Sequence, residues 1–520
     1  MSLWQRYTAP LRRLTSFLGE SEGRLTTRVI RSGMWISVSH GLNSVLEVVR
    51  QAILGRLLGP EAFGILGICL VFTRGLELFT ELGIGPALIH RQTDIEKATQ
   101  TAFTMRLFRG VGLTLITWPV AIGAALWYQK PELRELLFAL SFLFTISALV
   151  NPNTILLSKQ LDFRRLTILD ITVTLGGTIT VISAAFAFRS VWALVAGNVV
   201  SALVRVGMSY ALLPGRPTLR FDKAIAKELI QYGRYITGFT LLQFVFEFDK
   251  LLVSKLLGFR AAGFYELAFR LANLPATHIQ RVAATVFFPA YSSLQHDKTK
   301  LAIAYLTVMR VVGGLAIPAA IGLSVLAPDV MRVVWGPSWI PAGASLRLLA
   351  LYGLARSIAG ITGNLHNAVG KPQMSFYLTV GKLIATAAVI YPMTVWWGIE
   401  GTALAVSVPQ LGMMIGGLFV AQRQVCIDLW TTLRALSRIL MASTVMAAVV
   451  GGVRAVIPPV GVGGFVGLIA LGMVTYGLLS FREVLDLKQE LLGRKKTTPS
   501  PKTAPPETED PAAAIDSEVI

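Results

Sequence analysis

Between Glu247 and Arg281 the sequence sets charged and amide side chains at intervals of three, four and seven residues. On a helix turning about 100° per residue such positions share a face. Glu266, Arg270, Asn273, Thr277, Gln280 and Arg281 form one stripe, and Gln243, Glu247, Lys250 and Ser254 a second. Nearer the N-terminus, Ser37, His40, Ser44, Glu47 and Gln51 form a third, with Asn43 and Arg50 at its edge, and Arg74, Glu77 and Glu81 a fourth. Guanidinium and ammonium groups bind anions through charge-assisted hydrogen bonds. A carboxylate held away from water can carry a proton, because desolvation raises its pKa. The candidate substrate-binding residues are therefore Arg270, Lys250, Asn273, Arg50, Arg74, Glu266, Gln280 and Arg281, and the candidate ion-coupling residues are Glu47, Glu77 and Glu247. The alternative is that Glu47 with Arg50, Arg74 with Glu77 and Glu266 with Arg270 are helix-packing ion pairs. Asp249 lies off its helix's stripe and is expected to pack or pair between helices. The five histidines lack metal-ligand spacing, and no phosphate-binding GxxxxGK[ST] loop occurs, so neither a metal nor another cofactor is expected.

The elements that position these side chains are membrane helices. The chain has 520 residues, 53% hydrophobic and only 15% charged, with a mean hydropathy of +0.61. Soluble domains carry about 25% charged residues. Apolar runs of about 20 residues, each able to span a bilayer, recur along almost the whole length. The pattern reads as all-α and polytopic, with fourteen spans near 31–56, 62–86, 103–127, 134–157, 166–188, 190–213, 228–256, 261–289, 303–327, 341–368, 374–396, 399–421, 435–456 and 461–481. The net charge of +19 follows from Lys and Arg in cytoplasmic loops rather than from nucleic-acid binding. One set of alternate loops holds roughly 27 Lys and Arg and the other roughly 8, which puts both termini in the cytoplasm. Arg205 and Lys382 are expected to snorkel toward an interface, and Trp335 and Trp339 to sit in an interfacial belt.

The segment VSKLLGFRAAGF echoes LGRLLGPEAFGI at an offset of 199 residues, aligning Gly258 with Gly59 and Gly263 with Gly64. A second echo, WALVAGNVV from Trp192 and GTALAVSVP from Gly401, follows in the same order. The expected organisation is a basic cytoplasmic arm (1–30), a six-span bundle (31–213), a linker (214–227), a second bundle (228–421), two extra spans (422–482) and a disordered tail (483–520). Six is even, so both halves enter the membrane in the same direction. Such parallel repeats pack about an axis along the membrane normal. The striped spans 1, 2, 7 and 8 are then equivalent pairs lining a polar cavity between the halves.

The runs LGRLLGPEAFGILG, LFTELGIGPALIHR, FDKLLVSKLLGFRAAGFYELAFRLANLP and FFPAYSSLQ, with LDFRRLTILD and WGPSWIPAGASLRLLALYGL, resemble lipid-linked oligosaccharide flippases. These form the polysaccharide branch of the multidrug/oligosaccharidyl-lipid/polysaccharide (MOP) exporter superfamily. The resemblance covers about residues 30 to 420. It implies a V-shaped, MATE-like transporter in the plasma (inner) membrane, with the lipid bilayer and a polyprenyl-pyrophosphate-linked oligosaccharide as partners. A polysaccharide polymerase and export machinery are candidate protein partners. It further implies cationic cavity residues, matched here by Lys250 and Arg270; Arg50 and Arg74 extend that set by stripe geometry alone. The acidic neighbours Glu77, Glu81, Glu247 and Glu266 depart from a purely cationic cavity. Two other functions compete. A cation-coupled drug exporter would favour carboxylates and aromatics over Lys and Arg. A membrane polymerase would need paired catalytic carboxylates, and the longest external loop offers only Asp329.

Overall fold

In a computed structural model of the chain, residues 20–80, 83–91, 93–159, 162–213, 215, 217–231, 244, 247–282, 287–457 and 461–493 are described. All regular structure among them is helical. The first part comprises α1 (Glu20–Phe79), α2 (Ile84–His90), α3 (Ile95–Tyr128), α4 (Pro131–Ala148), α5 (Asn153–Lys159), α6 (Phe163–Phe188) and α7 (Trp192–Leu212). The second comprises α8 (Phe248–Leu257), α9 (Phe259–Val282), α10 (Phe288–Ser293), α11 (Lys298–Val330), α12 (Ala342–Ala368) and α13 (Pro372–Val425). The last two helices are α14 (Leu429–Val456) and α15 (Gly461–Gly493). Among the described residues nine helices are long and apolar enough to cross a membrane, so the chain is a multi-pass membrane protein. Two of the nine bend sharply: α1 at Gly59 and α13 at Gly398.

Several boundaries differ from expectation. The span expected to reach residue 86 ends at Phe79, and Gly83, in left-handed conformation, starts α2 as a separate short helix. Helix α11 begins at Lys298, capped by the Asp297 carboxylate accepting from the Lys300 amide. The expected disordered tail begins as helix: α15 continues to Gly493, through the good helix formers of VLDLKQELL. The remainder of that tail, residues 1–19 of the arm, Glu81 and Gln243 lie outside the described residues, as do the side chains of Ser37, His40 and Arg281.

Gly59 (φ 74°, ψ 177°) and Gly258 (φ 85°, ψ 170°) adopt nearly the same backbone conformation. That region is accessible essentially to glycine alone. Each starts a new helix, and the two new helices meet face to face. A Cβ on Gly64 would fall 1.8 Å from the Phe259 carbonyl oxygen, and one on Gly263 1.9 Å from that of Pro60. Close contact at this end is extended by two cations. Arg56 donates to the carbonyls of Val333 and Val334, and Lys255 to that of Trp127. Trp335 and Trp339 do not form an interfacial belt. Both are fully buried, and Trp339 Nε1 donates to the Gly55 carbonyl at 2.9 Å. The missing side chain at Gly55 is what admits the Trp335 indole. Helices α14 and α15 pack on α11, where buried Asp329 accepts from Arg332 at 2.7 Å and from Arg454. Tyr476 donates to the Gly314 carbonyl at 2.8 Å.

Candidate functional site

The breaks at Gly59 and Gly258 fix the depth of the striped side chains. At 1.5 Å per residue, Glu47 and Arg270 lie about 18 Å from these turns and Lys250 and Glu266 about 12 Å. Those depths are close to the middle of a hydrocarbon core about 30 Å thick. Charges there face one another. Arg50 pairs with Glu47, whose other oxygen accepts from Gln51 at 2.7 Å. Arg270 reaches Glu47 at 3.6 Å and Glu266 at 3.0 Å. Glu266 meets Lys250 at 2.9 Å, and Lys250 meets Glu247 at 2.5 Å. The result is one chain of alternating sign, Arg50–Glu47–Arg270–Glu266–Lys250–Glu247, linking α1, α9 and α8.

The chain combines the two readings left open by the stripes. The i,i+3 and i,i+4 pairs Glu47/Arg50, Glu247/Lys250 and Glu266/Arg270 all exist. Yet the pairs also join across helices, which packing pairs on one helix would not do. Lys250 and Glu266 are the most enclosed members, each with a side chain 13% exposed, whereas that of Arg270 is 44% exposed. Arg270 lines a cavity of about 400 Å³ together with Asn43, Ser44, Glu47 and Gln51 of α1, Asp170 of α6 and Arg205 of α7. Arg205 does not snorkel; it pairs with Asp170 at 3.0 Å across α6 and α7. A second cavity, of about 720 Å³, lies against α3, α8 and α13 and is mainly apolar, with Asp249, Tyr352 and Lys382 among its walls.

Of the remaining candidates, Asn273 and Gln280 are joined to each other through Arg356, whose Nη1 donates to Asn273 Oδ1 at 2.8 Å and whose Nη2 lies 3.5 Å from Gln280 Oε1. Arg74 and Glu77 stand apart. Both are exposed, and neither takes part in an ion pair among the described residues. Asp249 packs between helices, accepting from Tyr265 Oη at 2.6 Å. Lys382 also stays inside the bundle, donating to buried Gln410 at 3.1 Å with its ammonium 5.8 Å from the Tyr352 ring. Tyr265, Tyr352 and Gln410 carry no stripe signal. Arg356 and Lys382 do carry one, as cations deep within otherwise apolar spans.

The described residues thus form an all-helical membrane bundle with a charged chain linking α1, α8 and α9. The solved structure of the lipid II flippase MurJ in an inward closed conformation superposes with a TM-score of 0.68 at 15% identity, covering 87% of this chain and 99% of that one. A MATE family multidrug transporter of the MOP superfamily, inward-facing, gives 0.60 at 16% identity, covering 76% of this chain and 98% of that one. The likeness is one of fold. The polysaccharide biosynthesis protein family model matches residues 53–344, and the chain belongs to that family. Among its relatives are the lipopolysaccharide biosynthesis protein WzxC of Escherichia coli K12, 26% identical over 69% of this chain and 73% of that protein. The succinoglycan biosynthesis transport protein ExoT of Rhizobium meliloti is 28% identical over 70% and 74%.

Proposed function

We propose that this protein is a transporter, not an enzyme, that flips a polyprenyl-pyrophosphate-linked oligosaccharide from the cytoplasmic to the outer leaflet for assembly of a surface polysaccharide. The observation that carries the reading is the mid-membrane chain of ion pairs between α1 and α8/α9, in a fold like that of a lipid II flippase and a family named for polysaccharide biosynthesis. Arg270, Lys250 and Arg50, with Arg74 and Arg281, supply donors for pyrophosphate. Asn273, Gln280 and Glu266 face the sugars, and the polyprenyl chain stays in lipid beside the cavity. Glu47, Glu77 and Glu247 are the carboxylates through which an ion gradient couples. The fold is two parallel six-span halves plus two spans, fourteen in all, in the plasma (inner) membrane with both termini cytoplasmic. The matched glycine turns at Gly59 and Gly258 and the bends within α1 and α13 support that count. The close contact of Gly64 with Gly263 supports a state closed toward the outside.

The test is reconstitution with a polyprenyl-pyrophosphate-linked oligosaccharide in one leaflet, followed by a leaflet-specific probe of the sugar. Protein-dependent appearance in the other leaflet is expected. Transport of a cationic drug instead, with no movement of the lipid, would favour the exporter reading and refute this one.

A further inference from the structure

The six charges running from Arg50 to Glu247 cancel: three cations meet three carboxylates, each within ion-pair distance. Such a chain keeps little net charge with which to draw an anion out of water. Arg356 differs. It sits about 14 residues into α12, half-buried, at membrane depth. Its acceptors, Asn273 Oδ1 and Gln280 Oε1, are neutral amides that satisfy N–H groups without cancelling charge. Among the described residues no carboxylate lies within ion-pair distance of it. Asn273 is one turn beyond Arg270 on α9, so this uncancelled cation borders the chain. The ring of Tyr352, one turn before Arg356 on α12, has the Lys382 ammonium over it. That contact places a second cation on the same wall.

A cation held at this depth with only neutral partners among the described residues is unfavourable, and an anionic ligand supplies what is missing. We propose that Arg356 is a further phosphate-binding residue beside Arg270 and Lys250, exchanging the Asn273 and Gln280 amides for two oxygens of the substrate's phosphate. The guanidinium fork suits this exchange, since two Nη donors already point at two oxygen acceptors. The inference rests on the proposed flippase reading and adds to it a cation whose charge no carboxylate among the described residues cancels.

The experiment measures binding to the purified full chain in nanodiscs, with polyprenyl pyrophosphate, uncharged polyprenol and inorganic pyrophosphate as probes. Wild type should prefer polyprenyl pyrophosphate to polyprenol. Arg356→Gln should weaken polyprenyl pyrophosphate about ten- to a hundredfold, as expected for lost hydrogen bonds to a charged group, and leave polyprenol binding unchanged. Arg356→Lys should fall between. Asn273→Asp keeps Arg356 but sets a carboxylate against it, and should weaken pyrophosphate binding while holding the melting temperature at or above wild type. This second variant tests the proposal even if Arg356→Gln folds poorly. Inorganic pyrophosphate that binds wild type and loses affinity in Arg356→Gln supports the site and assigns recognition to the anion itself. Unchanged pyrophosphate binding in Arg356→Gln or Asn273→Asp overturns the role of Arg356 and leaves the flippase reading standing. A wild type that does not distinguish the pyrophosphate from the alcohol overturns both.

Discussion

Gly263→Ala is the sharpest perturbation of the closed end of the molecule. The added Cβ would lie 1.9 Å from the Pro60 carbonyl oxygen and 2.8 Å from its carbon. Carbon–oxygen contacts between helices settle near 3.3 Å at closest. The α1 and α9 backbones must therefore part by about 1.4 Å, and no side chain can turn aside to absorb the movement, because the opposing atoms are main chain. Overpacking of this kind costs about 1–3 kcal/mol, or more where the neighbour is rigid. Charged against the outside-closed state alone, that lowers its population relative to an outside-open state by about 5- to 150-fold. Gly67→Ala is the control on the facing helix α1, one turn on from Gly64, where the nearest atom to the new Cβ is Glu266 Cγ at an ordinary 3.8 Å. The assay is electron–electron distance measurement between spin labels at Glu132 and Ile340, both exposed and expected at the same end as the glycine contact, after replacement of Cys69 and Cys426. Gly263→Ala should add a longer-distance population absent from wild type and Gly67→Ala, with monodisperse protein in all three. An unchanged distribution, with transport intact, would refute the glycine contact as an outer gate.

Three further outcomes follow from the ion-pair chain and the topology. Because Glu266 also holds Lys250 and Arg270 also reaches Glu47, neutralising Glu266 and Arg270 together should not restore polysaccharide export lost in either single variant. Glu266→Gln should cost up to about 3–5 kcal/mol of stability by leaving enclosed cations under-paired; full export by the double variant would sink the connected chain. A membrane-impermeant thiol reagent applied outside should label a cysteine placed at Ile340 and miss one at Lys223; the opposite pattern would invert the topology and the transport direction. Glu47→Gln, Glu77→Gln and Glu247→Gln should between them include at least one variant whose transport no longer responds to a proton or sodium gradient, and three unchanged dependences would end the coupling proposal.

The sequence made the helices and the charged stripes legible, because both are periodic signals carried by neighbours within a few residues. The turn at Gly59 showed as the break between the first two apolar runs and through its echo at Gly258, and the two share one glycine-only conformation. What failed to show was partnership across distance. Trp339 looks like an interfacial aromatic in any local window; its indole N–H is satisfied by Gly55, 284 residues away, so it is buried. Lys382 and Arg205 look like snorkelling cations for the same reason, since Gln410 and Asp170 lie on other helices. Arg356 showed as a cation deep within an apolar span, but its pairing did not show. Its partners are amides 76 and 83 residues away, and amides leave no charge pattern to match.

The proposed duplication separates what the two halves share from what they do not. At the offset of 199 residues Arg56 corresponds to Lys255, and both tie down main-chain carbonyls near the ends of long helices of the opposite half. Gly64 corresponds to Gly263, and each presses against the helix start of the other. The equivalence ends in mid-membrane. There Arg50 corresponds to Asp249, Gly67 to Glu266, Val71 to Arg270 and Arg74 to Asn273. A closed end needs matching surfaces, which two copies of one segment supply without further change. A binding cavity for an anionic, asymmetric ligand needs charges placed on one side, which symmetry forbids. The departures from the repeat, Glu266, Arg270 and the Asn273 amide that seats Arg356, are therefore where the proposed flippase reading places substrate recognition.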